Sequence, residues 1–318
     1  MALALIGCGP HIRAPGPAVQ TPTLTDTAVI AGDGAHLPLR RWAAPTPRGV
    51  ILALHGFNDY GLFIEEPAAA LAAAGYHVYA LDQRGFGGAP NRGRWAGTAG
   101  YIADLRATIA LLRQRHPDLS LTLLGESMGA AIMLVANAET PLPVEGLVLS
   151  APAVWGRSVM GPMQRGALWL FARILPWFEL TGEGTGRTPS DNIEMLRRLG
   201  RDPLVIKSTR IDAIHGLVDL MDAALASAPK QPALPPMLIL YGRREDIVPP
   251  RAVCEFLTAL PRTDARRLAL YPQGYHMLLR DRAAAIPIAD VVAWLNDARR
   301  PLPSGLEAEP TGDAVCAP

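Results

Sequence analysis

Ser127 lies in Gly125-Glu126-Ser127-Met128-Gly129, a G-x-S-x-G pattern preceded by the apolar run Leu121-Thr122-Leu123-Leu124 and followed by Ala, Ile, Met, Leu and Val. That order reads as strand, sharp turn, helix. In such a turn the serine backbone is strained, and the residues two before and two after it must be small, because a side chain there would strike the neighbouring strand or helix. The strain lifts the hydroxyl off the sheet edge, and the helix beneath it aims free N–H groups at the same point. A serine hydroxyl is a weak nucleophile until a base takes its proton. The chemistry this predicts is nucleophilic attack on an acyl carbon, and it requires a histidine, an acid to orient it and donors for an oxyanion. Ser120, Ser150, Ser158, Ser190, Ser208 and Ser227 have no comparable setting and read as cap, turn or solvent residues.

The partners are sought where loops leave the ends of strands. His276 follows a glycine in Tyr271-Pro272-Gln273-Gly274-Tyr275-His276, after the last apolar run, and is the expected base. His215 is the only rival. His11 and His36 lie too early, His77 is mid-strand and His116 ends a surface helix. His55 closes a strand in a His-Gly pair and reads as a brace for its loop. For the acid, Arg243-Arg244-Glu245-Asp246-Ile247-Val248-Pro249 offers two carboxylates. Asp246 is favoured over Glu245 because it precedes the Ile-Val-Pro that turns into the next helix. It could instead cap a helix or pair with Arg243 or Arg244. The backbone N–H groups of Phe57, in His55-Gly56-Phe57, and of Met128 are assigned as the oxyanion donors. Asp82 and Arg84 read as loop-fixing residues.

These residues need a scaffold that presents several strand ends together. Continuous apolar runs at 49–55, 76–81, 121–124, 144–149, 236–242 and 265–270 are bounded by turn residues and alternate with helical patterns such as 101–115. This predicts an α/β fold with a mostly parallel sheet of about eight strands flanked by helices, ligands binding at its carboxyl edge. An opening hairpin is expected over 28–31 and 37–42. The alternation stops at 152–215, which holds three of the six tryptophans and reads as a helical cap inserted between core parts 27–151 and 216–300. An apolar cap over a serine suits a hydrophobic acyl chain. Phe57, Trp155, Met160, Met163 and Trp169 are the expected substrate-binding residues, although such side chains could equally pack the cap against the core. The apolar stripe could also touch a membrane. Gly182-Glu183-Gly184-Thr185-Gly186 lacks a phosphate-loop lysine and reads as a flexible loop.

The 318 residues carry a net charge of +1 and 49% hydrophobic residues, enough for a sizeable core and with no electrostatic footprint for nucleic acid. Cys8, Cys254 and Cys316 make neither a disulfide framework nor a zinc spacing, and no run is long enough to cross a membrane. Met1 to Cys8 is apolar and ends Leu-Ile-Gly-Cys. That tetrapeptide resembles a bacterial lipoprotein signal, in which the cysteine is lipidated, but it lacks a basic start and its apolar run is short. Residues 1–26 therefore read as a lipobox-like segment and a flexible tether, which would hold the protein at the cell envelope; the alternative is an N-terminal tail on a cytoplasmic enzyme. Residues 301–318 read as a disordered tail.

The chain order Ser127, Asp246, His276 is that of α/β-hydrolases. Together with His55-Gly56-Phe57, Asp82-Gln83-Arg84-Gly85-Phe86-Gly87, Gly125-Glu126-Ser127-Met128-Gly129, Asp246-Ile247-Val248-Pro249 and Gly274-Tyr275-His276, it resembles the monoacylglycerol lipase and lysophospholipase-like family, the serine aminopeptidase-type hydrolases, over about residues 28–297. The resemblance implies hydrolysis of monoacylglycerol or lysophospholipid-type lipid esters, or other carboxylic esters, without cofactor or metal. Residues 57–60 read Phe-Asn-Asp-Tyr, without the extra glycine and Glu-His the family often shows. An amide- or peptide-bond hydrolase uses the same groups and stays open, as does a hydrolase-fold binding protein with a vestigial site. A dehalogenase or epoxide hydrolase is disfavoured, because serine and not aspartate occupies the turn.

Overall fold

The computed structural model describes residues 9–182 and 186–316. The chain opens with β1 (Thr23–Leu24) and an antiparallel hairpin of β2 (Ala28–Ile30) and β3 (His36–Trp42). Strand and helix then alternate through β4 (Gly49–Leu54), α1 (Glu65–Ala73), β5 (Tyr76–Leu81), α2 (Thr98–Arg115), β6 (Ser120–Glu126), α3 (Met128–Glu139) and β7 (Gly146–Ser150). Next come α4 (Pro162–Ile174), β8 (Glu179–Thr181), α5 (Ile193–Arg201) and β9 (Ser208–Arg210), which form the cap. The core resumes with α6 (Ile211–Ser227), β10 (Met237–Gly242), α7 (Pro250–Ala259), β11 (Arg266–Tyr271) and α8 (Ala285–Asn296), and ends in β12 (Glu307–Ala308) and α9 (Gly312–Cys316).

The main sheet has ten strands in the order β1-β2-β3-β5-β4-β6-β7-β10-β11-β12, two more than expected. From β5 to β11 every pairing is parallel; β1, β2, β3 and β12 pair antiparallel at the two edges. All residues of β4, β5, β7 and β10 are buried, as expected of parallel strands covered by helices on both faces. Leu52, Leu123, Leu147 and Ile239 pack on one face with α3 and α6, and Ile51, Val148, Leu238 and Leu240 pack on the other with α1 and α8. Six consecutive parallel strands therefore deliver six strand-end loops to one edge.

Both ends of the chain differ from expectation. Residues 301–316 are not a disordered tail: β12 pairs with β11, α9 packs on α7, and Cys316 is disulfide-bonded to Cys254, with Cα atoms 5.8 Å apart. Two cysteines 62 residues apart carry no spacing signal, so only the folded arrangement reveals the pair. At the other end, the proposed tether is laid on the core. Arg13 N–H donates to the Trp95 carbonyl at 2.7 Å, Gly16 N–H to Asp33 Oδ2 at 3.0 Å, and Val19 N–H to the Gly32 carbonyl at 2.8 Å. Cys8 lies outside the described residues, as does most of the glycine-rich loop at 182–186. Among the described residues no helix is long and apolar enough to cross a membrane.

Candidate active site

Ser127 connects β6 to α3 with φ 52° and ψ −109°, a backbone that a residue with a side chain rarely adopts. Its surroundings hold it there. Ser127 N–H donates to the Ser150 carbonyl at 2.9 Å, and its own carbonyl accepts from Ala131 and Ala153 N–H, each at 3.1 Å. The two glycines are required by space. A Cβ on Gly125 would fall 2.5 Å from the Ala130 nitrogen, and one on Gly129 would fall 2.3 Å from the Leu54 carbonyl oxygen on β4. Ser127 is 8% exposed.

The loops after β10 and β11 meet because Gly242 and Gly274 lack side chains; a Cβ on Gly242 would lie 2.2 Å from the Gly274 oxygen. Arg244 N–H donates to that oxygen at 2.9 Å. This contact brings a carboxylate onto His276, and the carboxylate is that of Glu245. Its Oε2 lies 2.6 Å from His276 Nδ1, while its Oε1 accepts from Ile247 N–H at 2.6 Å and Val248 N–H at 3.0 Å. The expected partner, Asp246, faces the cap instead, where its Oδ2 accepts from Thr188 N–H at 2.8 Å. The turn donates two N–H groups to Glu245, fixing it inward, and its neighbour then faces the other way. Burial alone would push the His276 ring down, but the charges of Glu245 and, less strongly, Glu126 outweigh it and hold the ring above its ordinary value.

His276 is 7% exposed, and its loop is fastened to the nucleophile turn. Arg280, four residues on, donates to Glu126 Oε1 at 2.5 Å and to Asp59 Oδ2 at 2.7 Å. Sequence reasoning ranked Glu245 behind Asp246 and did not single out Arg280. The only early sign of Arg280 was a lone charge in the apolar run Met277-Leu278-Leu279-Arg280. His215, the rival base, pairs with Asp219 at 3.1 Å and Arg157 at 3.3 Å at the foot of the cap.

His55 braces its loop. Its Nδ1 is 2.8 Å from the Gly56 carbonyl, and its Nε2 accepts from Gln83 N–H at 3.0 Å, which assigns the Nδ1–H tautomer. Burial lowers its pKa, in keeping with a neutral ring. Asp82 accepts from Gly61 N–H at 2.8 Å and Gly88 N–H at 2.9 Å and pairs with Arg40, so it fixes loops as expected. Among the described residues, neither Phe57 N–H nor Met128 N–H donates to a protein acceptor outside regular elements, and Met128 opens α3, where first-turn N–H groups lack helical acceptors.

The expected substrate residues separate into two groups. The Phe57 ring meets Phe86 edge-on at 5.6 Å, and Trp155 and Met160 pack partly buried against the core. Met163 and Trp169, 86% and 56% exposed, stand on the outer face of α4 with Leu170, Phe171 and Ile174. A cleft of about 190 Å³ runs between α1 and α5, lined by Asp59, Phe63, Met195 and Arg280, and none of the expected substrate residues lines it.

Comparison with known proteins places the chain in a family. The family model described as serine aminopeptidase, S33, matches residues 45–283. The chain is 26% identical to a monoacylglycerol lipase of Mycolicibacterium smegmatis over 273 residues, covering 82% of this chain and 93% of that one. It is also 26% identical to the mouse monoglyceride lipase, covering 80% and 84%. Among solved structures, a soluble variant of the Saccharomyces cerevisiae monoglyceride lipase, in complex with a substrate analog, superposes with a TM-score of 0.73 at 20% identity, covering 90% of this chain and 100% of that one. The Paleococcus ferrophilus monoacylglycerol lipase gives 0.68 at 23%, covering 81% and 98%. These two likenesses show the α/β-hydrolase fold.

Proposed function

Since the chain belongs to the serine aminopeptidase S33 family of hydrolases, we propose that it is a carboxylic-ester hydrolase acting on monoacylglycerol or lysophospholipid-type lipid esters through Ser127, His276 and Glu245. The observation that carries the proposal is the buried carboxylate on His276 Nδ1, which leaves Nε2 as the nitrogen available to a nucleophile. In this mechanism His276 Nε2 takes the Ser127 proton as Oγ attacks the ester carbonyl, and Glu245 holds the tautomer and stabilises the imidazolium. The Phe57 and Met128 N–H groups receive the oxyanion. The imidazolium then protonates the leaving alcohol, and water, deprotonated by the same ring, releases the acid from Ser127. Relatives named as lipases favour esters over amides, and the exposed apolar face of α4 supports a lipid surface as the source of substrate.

Ser127→Ala is expected to lower kcat on a monoacylglycerol and on a short p-nitrophenyl ester by about 10³-fold or more, and to abolish fluorophosphonate labelling. Turnover retained in that variant rejects the mechanism. Faster cleavage of anilides than of esters by the wild type favours the amide-hydrolase reading, and a folded protein that takes no label favours a binding protein.

The same reading includes residence at the cell envelope with a lipid on Cys8. The Cys254–Cys316 bond supports export, since disulfides persist in oxidising compartments. Mass spectrometry of the native protein should find diacylglycerol on Cys8; an unmodified Met1 ends the idea.

A further inference from the structure

We infer that Arg280 is a positioning residue for the reaction, holding the nucleophile turn, the oxyanion loop and the histidine loop in one arrangement. The inference rests on the serine-hydrolase reading above. Arg280 is 5% exposed. Its two outer nitrogens reach two different strand ends: Nη1 donates to Asp59, two residues beyond the oxyanion donor Phe57, and Nη2 donates to Glu126, the residue before Ser127. Its backbone belongs to the third loop, where its N–H donates to the Met277 carbonyl at 2.8 Å, one residue past His276. Its carbonyl accepts from Asn192 Nδ2 at 2.9 Å, at the start of cap helix α5. One planar cation thus fixes the relative position of the three loops whose registration the chemistry needs.

Stability does not explain the arrangement. Drying a guanidinium and two carboxylates carries a desolvation cost that their attraction repays only in part. The network is also incomplete, since Glu126 Oε2 and Arg280 Nε are buried without a hydrogen-bond partner. Burial pushes the Glu126 carboxyl up against the pull of Arg280. What the network supplies is geometry, because a planar fork fixes the angle between its two carboxylates, which a lysine ammonium with freely rotating donors does not. It also supplies a charge balance at the base. His276 faces Glu245 from the β10 loop, Glu126 from the nucleophile turn and Arg280 from its own loop, with the carboxylates favouring the protonated ring and the guanidinium opposing it.

The test is the pH profile of kcat/KM on a short p-nitrophenyl ester for Glu126→Gln, Arg280→Met and Arg280→Lys, with fluorophosphonate labelling of the wild type in parallel. Arg280→Met should lower plateau kcat by about 10²-fold, the effect of a misplacement near 1 Å, with a much smaller change in KM. Arg280→Lys should recover part of that loss. The acidic limb should move to lower pH in Glu126→Gln and to higher pH in Arg280→Met, opposite directions that a general loss of fold does not produce. If Arg280→Met proves insoluble, Arg280→Lys decides: a plateau kcat equal to the wild type's overturns the inference. A labelled, active wild type whose variants keep its plateau and its limb also overturns it, leaving the hydrolase reading intact. A wild type that neither turns over nor takes label removes both.

Discussion

Glu245 Oε2 lies 2.6 Å from His276 Nδ1, and the two loops that carry them touch backbone to backbone at Gly242 and Gly274. The adjacent Asp246 is turned to the cap and bonded to Thr188 N–H. Glu245→Gln is therefore expected to lower kcat by about 10²- to 10⁴-fold with little change in fold. Asp246→Asn keeps the ring's partner in place and should cost far less. Steady-state kinetics on one ester compares the two, and a larger loss in the Asp246 variant would reverse the assignment.

The pH dependence has a definite sign. The ordinary histidine value is 6.5; burial of His276 works downward, and the Glu245 charge, with Glu126 behind it, carries the net shift upward. The neutral ring needed as a base then forms only above the ordinary range, so kcat/KM should fall as pH drops through a value above 6.5. In Glu245→Gln that limb should move to lower pH. The linked stability has the opposite dependence: the ion pair contributes fully below 6.5 and is lost as pH rises through the raised value. A profile with no acidic limb above 6.5 contradicts this account of the base.

Gly129→Ala puts a methyl group 2.3 Å from the Leu54 oxygen, so the β4 backbone or the start of α3 must shift to admit it. It should destabilise the protein by about 1–3 kcal/mol, occasionally more, and lower activity through the displaced Ser127. The midpoint of urea unfolding checks it; an unchanged midpoint would mean that the turn can relax.

The Cys254–Cys316 bond closes a loop of 62 residues, and its loss should cost about 2–4 kcal/mol. Cys316→Ser and the reduced wild type should unfold at the same lower denaturant concentration. Equal midpoints for oxidised and reduced wild type would show that the bond adds nothing to stability.

Much of the site could be read before any coordinates because its signals are local. Gly125 and Gly129 announce a tight turn, and the apolar strand before Ser127 and the alanine-rich helix after it say which turn. His276 follows from being the histidine at the final strand end. The choice between Glu245 and Asp246 was not legible, because adjacent residues in a turn point opposite ways and the turn's own N–H groups decide which faces in. The Asp59–Arg280–Glu126 network joins positions more than 150 residues apart, and the Cys254–Cys316 pair has no spacing rule. The tail at 301–316 looked unstructured because two residues of strand and five of helix carry too little periodicity to register.

The α5 side of the cap is tied to the loops around His276. Thr188 is bonded to Asp246, the Pro189 carbonyl to Met277 N–H, Ser190 to Asp281 and Asn192 to the Arg280 carbonyl, so the strip leading into α5 is stitched to the loops that carry Glu245 and His276. Helix α4 buries only Ala172. Helix α4 leaves Met163, Trp169, Leu170, Phe171 and Ile174 exposed, so it is expected to move more readily than the strip at 188–193. Amide hydrogen exchange should run faster across 160–178 than across 188–193, and uniform exchange would mean the two parts move as one. A cap built this way would let α4 shift while the strip at 188–193 keeps its bonds to the loops of Glu245 and His276.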